Sequence, residues 1–243
     1  MAPLLARHGL SGSSAQGLRA LLEVLAEDPT APTTVREPAA AADVHLADSL
    51  VALELGVVRD ADAVADIGAG AGFPGLALAA ALPVTTVRLI EGAGRKCAFM
   101  RRAAARAGLR NAEIVHSRVE ALGASVEPVD LVTARAVAPL AVVAEYAAPL
   151  LGLGGSLVAW KGRRDADEEH EAIQAASELG LERVDVVAVS PYPAARHRHL
   201  HVYRKTSPTP DRFPRRPGVA RKRSGGARRI SANSAKTPTR QDL

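Results

Sequence analysis

The chain has 243 residues and a mass of 25.3 kDa, which suits one well-buried domain with attached segments rather than two full-sized domains. Its single cysteine, Cys97, excludes an intramolecular disulfide and a cysteine-rich zinc site, so we expect a protein of the reducing cytoplasm. No stretch stays apolar and uncharged long enough to span a bilayer, and we expect a soluble monomer without a secretion signal or a membrane partner.

The formal net charge of +5 hides an uneven distribution of charge along the chain. Residues 204–243 carry twelve lysines and arginines and two acids, a net charge of +10, which leaves a net charge of −5 on residues 1–203. A basic tail on an acidic body favours salt-dependent binding to RNA phosphates. Because Ser, Pro, Gly and Arg dominate residues 206–243, we predict that this tail is largely disordered on its own.

Residues 1–58 are predicted to form an N-terminal helical segment. In residues 13–29 four leucines recur at helical spacing behind a serine and before Pro29, which indicates an amphipathic helix. After a connector rich in Pro and Thr, a second helix is predicted from Ala39 to Leu55 and carries the sequence HLADSL.

Residues 59–205 alternate between short apolar runs typical of strands and longer helical runs. The predicted strands are residues 64–67, 85–91, 112–117, 129–134, 156–162, 182–190 and 197–205. The predicted helices between them are residues 74–82, 95–109, 139–151 and 165–180. This alternation predicts an α/β fold with a mostly parallel sheet covered on both faces, and the last two strands, with no helix between them, predict a closing antiparallel pair.

The sequence VADIGAGAGFPG, at residues 64–75, predicts a ligand loop at the end of the first strand, because so many ordered glycines indicate close approach to the backbone. GAGFPG matches the dinucleotide pattern G-x-G-x-x-G, with Glu91 suitably placed for a ribose. The pattern D-x-G-x-G-x-G, which starts at Asp66 and runs through Gly68, Gly70 and Gly72, instead suits S-adenosylmethionine. An acid at this position attracts the sulfonium and ammonium groups of that ligand, whereas it would repel a pyrophosphate. Asp66 therefore favours the methyl donor, whereas Glu91 fits both ligands.

Five blocks of the sequence together resemble one known family. They are DIGAGAGFPGLALA, RKCAFMRRAAARAGLRNAEIVHSRVE, DLVTARAVAPL, LGLGGSLVAWKG and RHLHVYRK. They resemble the bacterial RsmG family, also called GidB, over roughly residues 33–220. The resemblance implies a class I S-adenosylmethionine-dependent methyltransferase with a Rossmann-like seven-stranded sheet, which methylates N7 of a guanine in 16S rRNA of the small ribosomal subunit.

The resemblance also implies roles for particular residues. Gly68 and Phe73 would line the donor site from the first loop. Val119 and Glu120 would hold the adenine region after the third strand. Arg135, at the end of the fourth strand, would lie beside the donor and orient the substrate or the cofactor, and we expect no catalytic acid or base.

Several residues allow more than one interpretation. Arg135 is either a site residue or a structural ion-pair partner. His45 and Asp48, one helical turn apart, form either a pair near the mouth of the site or a packing pair. The alternating histidines of HRHLH, residues 197–201, share one face of a strand, but without a nearby carboxylate or cysteine we predict no metal site.

Two other functions compete with methyl transfer. The first is an NAD(P)-dependent oxidoreductase that uses the GAGFPG loop, and the second is a non-enzymatic rRNA-binding protein. A thermal shift with the methyl donor but none with NAD or NADP separates the first from a methyltransferase, and methylation of an RNA separates the second.

Overall fold

The computed structural model of the protein describes residues 1–122 and 126–215. The strands are β1 (Ala63–Ile67), β2 (Thr86–Glu91), β3 (Ala112–His116), β4 (Val129–Arg135), β5 (Leu151–Lys161), β6 (Leu181–Val189) and β7 (Arg198–Lys205). The helices are α1 (Ala2–Arg7), α2 (Gly12–Glu27), α3 (Pro38–Ala41), α4 (Asp48–Leu50), α5 (Gly56–Arg59), α6 (Gly75–Ala81), α7 (Gly94–Arg106), α8 (Val119–Leu122), α9 (Leu140–Ala147) and α10 (Ala166–Glu178). In this part of the chain no helix is long and apolar enough to cross a membrane.

Within the described residues the seven strands form one sheet in the order β3-β2-β1-β4-β5-β7-β6. Strands β1 to β5 pair in parallel, and β7 is antiparallel to both of its neighbours, β5 and β6. This confirms the predicted mostly parallel sheet with a closing antiparallel pair. The carboxyl ends of the parallel strands meet at one edge of the sheet, where ligands bind in folds of this kind.

Helices cover both faces of the sheet, and each face has its own apolar core. Helices α2, α6 and α7 share one core with the strands, in which Leu18 and Leu76 are fully buried. Helices α9 and α10 cover the other face, where Ile67 and Ala144 are fully buried. The N-terminal helix α2 therefore packs directly on α6 and α7, and the boundary at residue 58 stays a prediction.

The predicted second helix, Ala39 to Leu55, lies where the sequence indicates, but it is not a continuous α-helix. A π-helical turn (Ala42–Ala47) follows α3, and a 3₁₀ turn (Val51–Glu54) follows α4. The extra residue per turn of a π-helix rotates the residues after it about the helix axis, and such turns occur frequently at functional sites. His45, within this turn, and Asp48, directly after it, are both buried, each 7% exposed.

Residues 206–215 of the predicted basic tail pack against the fold, and residues 216–243 lie outside the described part of the chain. Phe213 packs on the core beneath α9 and α10. The side chain and backbone N–H of Arg215 donate to Glu145, which lies in the otherwise apolar helix α9 and is 2% exposed. A buried carboxylate needs a cationic partner. This requirement holds Arg215 on the fold even though the composition of residues 206–215 is polar.

Candidate active site

The glycine loop between β1 and α6 turns too tightly for larger residues. Gly68, Gly70 and Gly72 all have positive φ, at 65°, 62° and 93°. A Cβ on Gly72 would lie 2.4 Å from Cδ1 of Leu76, a distance that real Cβ atoms do not reach. The loop therefore lies directly on α6 and exposes backbone rather than side chains, which leaves room for a ligand to approach it.

Asp66 lies beneath this loop and is 1% exposed. Its Oδ2 accepts a hydrogen bond from the backbone N–H of Gly75 at 2.9 Å, and its Oδ1 accepts one from the Thr133 hydroxyl at 3.0 Å. Burial raises the pKa of Asp66 to about 6, against the lowering effect of these two hydrogen bonds. Asp66 supplies negative charge to the site from below, while its oxygens bind the protein.

Glu91, at the carboxyl end of β2, holds the loop from the side. Its Oε2 accepts from the backbone N–H of Gly70 at 3.1 Å, and its Oε1 accepts from that of Ala93 at 2.9 Å. Lys96 Nζ lies 3.6 Å from Oε2. The structure thus brings together Gly70 and Glu91, two of the predicted donor-site residues, and the contact of Glu91 with a ribose stays a prediction.

Phe73 faces the N-terminal helices. It is 5% exposed and its ring stacks on that of His45, with ring centroids 5.0 Å apart. Nε2 of His45 lies 3.1 Å from the Thr33 hydroxyl and 3.2 Å from the carbonyl oxygen of Val35, while Nδ1 is buried without a partner in the described residues. Phe73 therefore joins the loop to the helical segment.

Val119 and Glu120 begin the short helix α8 after β3. Val119 packs against the core beneath α9, and Glu120 Oε1 accepts a hydrogen bond from the Tyr146 hydroxyl at 3.0 Å. Both residues are partly exposed, on the same edge of the sheet as Glu91. Their contact with an adenine stays a prediction.

A cavity of about 450 Å³ opens at the carboxyl ends of β4 and β5, next to the glycine loop. Val137 joins the two features, because it lines the cavity and its Cγ2 would lie 3.0 Å from a Cβ on Gly68. Apolar side chains that include Val143 and Trp160 form much of the wall. The charged side chains of the wall are Asp48, Arg135, Lys161 and Arg198.

Arg135 enters this cavity wall from the end of β4 and forms an ion pair there. Its Nη1 donates to Asp48 Oδ2 at 2.8 Å and to the carbonyl oxygen of Val44 at 3.0 Å. Its Nε and Nη2 groups donate to no residue in the described chain, so they are available to a ligand. Arg135 is thus both an ion-pair partner and a cavity residue, and Asp48 pairs with it rather than with His45.

Trp160, Lys161 and Arg198 also line the cavity, and the sequence pattern alone does not identify them as site residues. Trp160 Nε1 donates to the backbone oxygen of Asp48 at 2.7 Å, and Lys161 Nζ contacts Glu168 at 2.6 Å. Arg198 Nε lies 3.2 Å from Asp48 Oδ1. The sequence signal that could identify Trp160 and Lys161 is their position at the carboxyl end of the strand next to β4.

The three histidines of HRHLH are arranged differently from one another. His197 precedes β7 with a φ of 52°, His199 Nδ1 lies 2.8 Å from the carbonyl oxygen of Gly162, and His201 is buried. Burial lowers the pKa of His201 to about 4. Across residues 1–122 and 126–215 no three His, Cys, Asp or Glu side chains are grouped to hold a metal ion.

Solved structures with the same fold include methyltransferases. The mitomycin 7-O-methyltransferase MmcR has a TM-score of 0.56 at 17% identity, with 76% of this chain and 60% of that chain covered. Fibrillarin from Aeropyrum pernix, solved with bound S-adenosyl-L-methionine, has a TM-score of 0.52 at 21% identity, with 65% and 72% covered. At these identities the likeness shows the class I methyltransferase fold alone.

Relatives in sequence are closer. The ribosomal RNA small subunit methyltransferase G of Pelotomaculum thermopropionicum is 40% identical, with 74% of this chain and 76% of that protein covered. The protein of the same name from Chloroflexus aggregans is also 40% identical, with 79% and 81% covered. The sequence profile of the GidB family, described as rRNA small subunit methyltransferase G, matches residues 18–200. This chain belongs to the GidB family.

Proposed function

We propose that this protein is an S-adenosylmethionine-dependent methyltransferase that methylates N7 of a guanine in 16S rRNA, in the cytoplasm. The observation that carries the proposal is the junction at Val137, where the glycine loop meets a cavity lined by Arg135. A donor site and a substrate site must adjoin for a direct transfer. The family and the names of its members support the rRNA substrate.

The residues around the loop fit the methyl donor. Loop glycines leave the backbone open, Asp66 supplies negative charge nearby, and the Glu91 carboxylate suits the two hydroxyls of a ribose. Val119 and Glu120 would border the adenine. When bound, S-adenosylmethionine supplies an electrophilic methyl group, which the N7 lone pair takes while the carbon–sulfur bond breaks and its electron pair stays on sulfur.

The chemistry of the acceptor explains why the described cavity needs no general base. Guanine N7 has an in-plane lone pair and no proton, so its methylation releases none. The protein has to align the base with the methyl group and exclude water, which apolar walls such as Val143 and Trp160 favour. The Nε and Nη2 groups of Arg135 suit the O6 atom of the guanine, since arginine commonly binds this edge of the base.

The partner is 16S rRNA or the small subunit that contains it. A net charge of +10 over residues 204–243 supports binding to RNA phosphates. The ion pair of Arg215 with Glu145 anchors the described part of this segment, up to residue 215, on the fold. We propose that the enzyme acts as a monomer.

The test uses the purified full-length chain. Calorimetry is expected to detect binding of S-adenosylmethionine and none of NAD or NADP. Incubation with small subunits or 16S rRNA from cells that lack the gene is expected to convert one guanine to N7-methylguanosine, detected by mass spectrometry of nuclease digests. Binding of NAD in place of the donor would instead support an oxidoreductase, and donor binding without methylation of either RNA substrate would contradict an rRNA methyltransferase.

A further inference from the structure

One carboxylate, that of Asp48, binds two guanidinium groups at the wall of the cavity. Its Oδ2 accepts from Arg135 Nη1 at 2.8 Å, and its Oδ1 lies 3.2 Å from Arg198 Nε. The backbone of Asp48 is fixed as well, because its carbonyl oxygen accepts the Trp160 indole N–H at 2.7 Å. Asp48 is therefore held on both sides and is 7% exposed.

The three charged residues come from three distant parts of the chain. Asp48 begins α4 directly after the π-helical turn, Arg135 ends β4, and Arg198 begins β7. All three line the cavity of about 450 Å³. The contact does not arise from packing of neighbours along the chain, because the order of the strands in the sheet brings these residues together.

The cluster of Asp48, Arg135 and Arg198 has hydrogen-bond donors that are free to bind a ligand. One carboxylate for two guanidiniums leaves a net positive charge. Arg135 uses only Nη1, and Arg198 uses Nε for Asp48 and Nη1 for the carbonyl oxygen of Arg196 at 3.4 Å, so Nη2 of each makes no hydrogen bond in the described chain. The side chain of Arg135 is 17% exposed and that of Arg198 is 37% exposed, which sets one deep in the wall and the other near its rim.

We infer that Asp48 is a positioning residue, which holds Arg135 for the O6 edge of the target guanine and Arg198 for a phosphate of the same RNA strand. The inference rests on the proposed function. A planar guanidinium fixed by a carboxylate loses little freedom when it binds a second acceptor, and misplacement of a substrate by about 1 Å can slow a reaction by about 100-fold.

Substitution of Asp48 by Asn separates positioning from simple electrostatics. Loss of the carboxylate adds positive charge to the cavity, so electrostatics alone would strengthen RNA binding and leave the rate intact. Positioning predicts a slower reaction, because the asparagine amide has only one oxygen to accept from the two guanidiniums, and its NH2 group faces the other. In Asp48→Asn we expect a kcat about 100-fold lower, a KM for RNA that is unchanged or lower, and donor affinity within about twofold of wild type.

Glu169 offers a matched control. It is also buried, at 6% exposure, and it also binds two guanidiniums, Arg164 at 2.6 Å and Arg183 at 3.3 Å, but it lies outside the cavity. Glu169→Gln is expected to keep the wild-type kcat. Thermal melts and calorimetry with the donor establish that each variant is folded.

Arg198→Gln provides a second test, because this partly exposed residue contributes little to folding. Its KM for RNA is expected to rise about tenfold, and the slope of log KM against log salt to fall by about one, as for loss of one phosphate contact. The double variant of Asp48 and Arg198 is expected to be little slower than Asp48→Asn alone.

A folded Asp48→Asn enzyme with a kcat within threefold of wild type would overturn the inference. If that variant fails to fold, an Arg198→Gln enzyme with wild-type KM and salt slope would overturn it instead. Failure of the proposed function looks different, since the wild-type protein itself would then methylate no guanine.

Discussion

The Asp66 carboxylate accepts a hydrogen bond from the backbone N–H of Gly75 at 2.9 Å, which ties the end of β1 to the first residue of α6. The same carboxylate accepts the hydroxyl of Thr133 on β4. The loop that we propose for donor binding is therefore fixed from beneath by a buried acid. A Cβ on Gly75 would lie 2.8 Å from Asp66 Oδ2, so only glycine allows this approach.

Substitution of Asp66 by Asn is expected to remove a loss of stability that Asp66 causes in the wild-type protein as the pH rises from about 4 to 6. Burial raises the pKa of Asp66 from 3.8 to about 6, so the folded state holds this proton more tightly than the unfolded state does. The contribution of Asp66 to stability is fully present below pH 4 and is lost as pH rises from about 4 to 6. The unfolding free energy of Asp66→Asn relative to wild type should rise by about 3 kcal/mol over that range.

Urea unfolding of both proteins between pH 3.5 and 7 measures this difference, in which all other titrating groups cancel to first order. A relative stability that stays constant with pH would show that Asp66 keeps its ordinary pKa in the folded protein.

Substitution of Gly72 by Ala is expected to destabilise the loop and abolish donor binding. Gly72 has a φ of 93°, and its Cβ would lie 2.4 Å from Leu76 Cδ1. Gly108 is the matched control, because it has a φ of 68° but no atom within 4 Å of a Cβ. Gly108→Ala should cost about 1 kcal/mol from backbone strain alone.

Gly72→Ala should cost about 1–3 kcal/mol more than Gly108→Ala, because its methyl group also overlaps α6. Chemical unfolding gives both values, and calorimetry gives donor affinity, which the Gly108 variant keeps. Equal stability losses in the two variants would argue against the close contact of the loop with α6.

Much of the fold could be predicted from the sequence, because the parallel strands are short apolar runs between helices. The predicted runs at residues 64–67 and 129–134 coincide with β1 and β4 within one residue. The start of β5 was missed, since Gly152 and Gly155 resemble a turn. They instead form an irregularity in the pairing with β4, where a Cβ on Gly155 would lie 3.1 Å from the carbonyl oxygen of Asp130.

The cavity was less predictable than the loop. The glycine loop and Glu91 form a local pattern along the chain, whereas the contact of Asp48 with Arg198 depends on strand order and on the π-helical turn before α4. One feature of the sequence indicates that residues 206–215 pack on the fold. Glu145 is an acid within the apolar helix LAVVAEYA, and such an acid needs a partner from elsewhere, which Arg215 supplies.

Substitution of Glu91 by Gln is expected to weaken donor binding by about 10- to 100-fold, the usual effect of removing a charged hydrogen-bond partner. The glutamine amide can accept from only one of the two backbone N–H groups, those of Gly70 and Ala93, that Glu91 now binds. Glu113→Gln, on the neighbouring strand and paired with Arg88 near the surface, is the control and should bind the donor normally. Calorimetry that gives the two variants equal affinity would exclude Glu91 as a donor contact.

Substitution of Arg215 by Ala is expected to destabilise the protein by about 3 kcal/mol, because it leaves the Glu145 carboxylate buried and unpaired. Arg212→Ala should change stability by less than about 0.5 kcal/mol, since its partner Glu178 is exposed and 3.8 Å away. Chemical unfolding measures both. If the two variants are equally stable, residues 206–215 do not contribute to the fold through this anchor.

The most direct test of the methyltransferase assignment is a map of N7-methylguanosine in 16S rRNA from cells with the gene, without it and with it restored. We predict that one guanine loses its N7 methyl group when the gene is deleted and regains it when the wild-type gene returns. An identical map in all three strains would contradict the assignment.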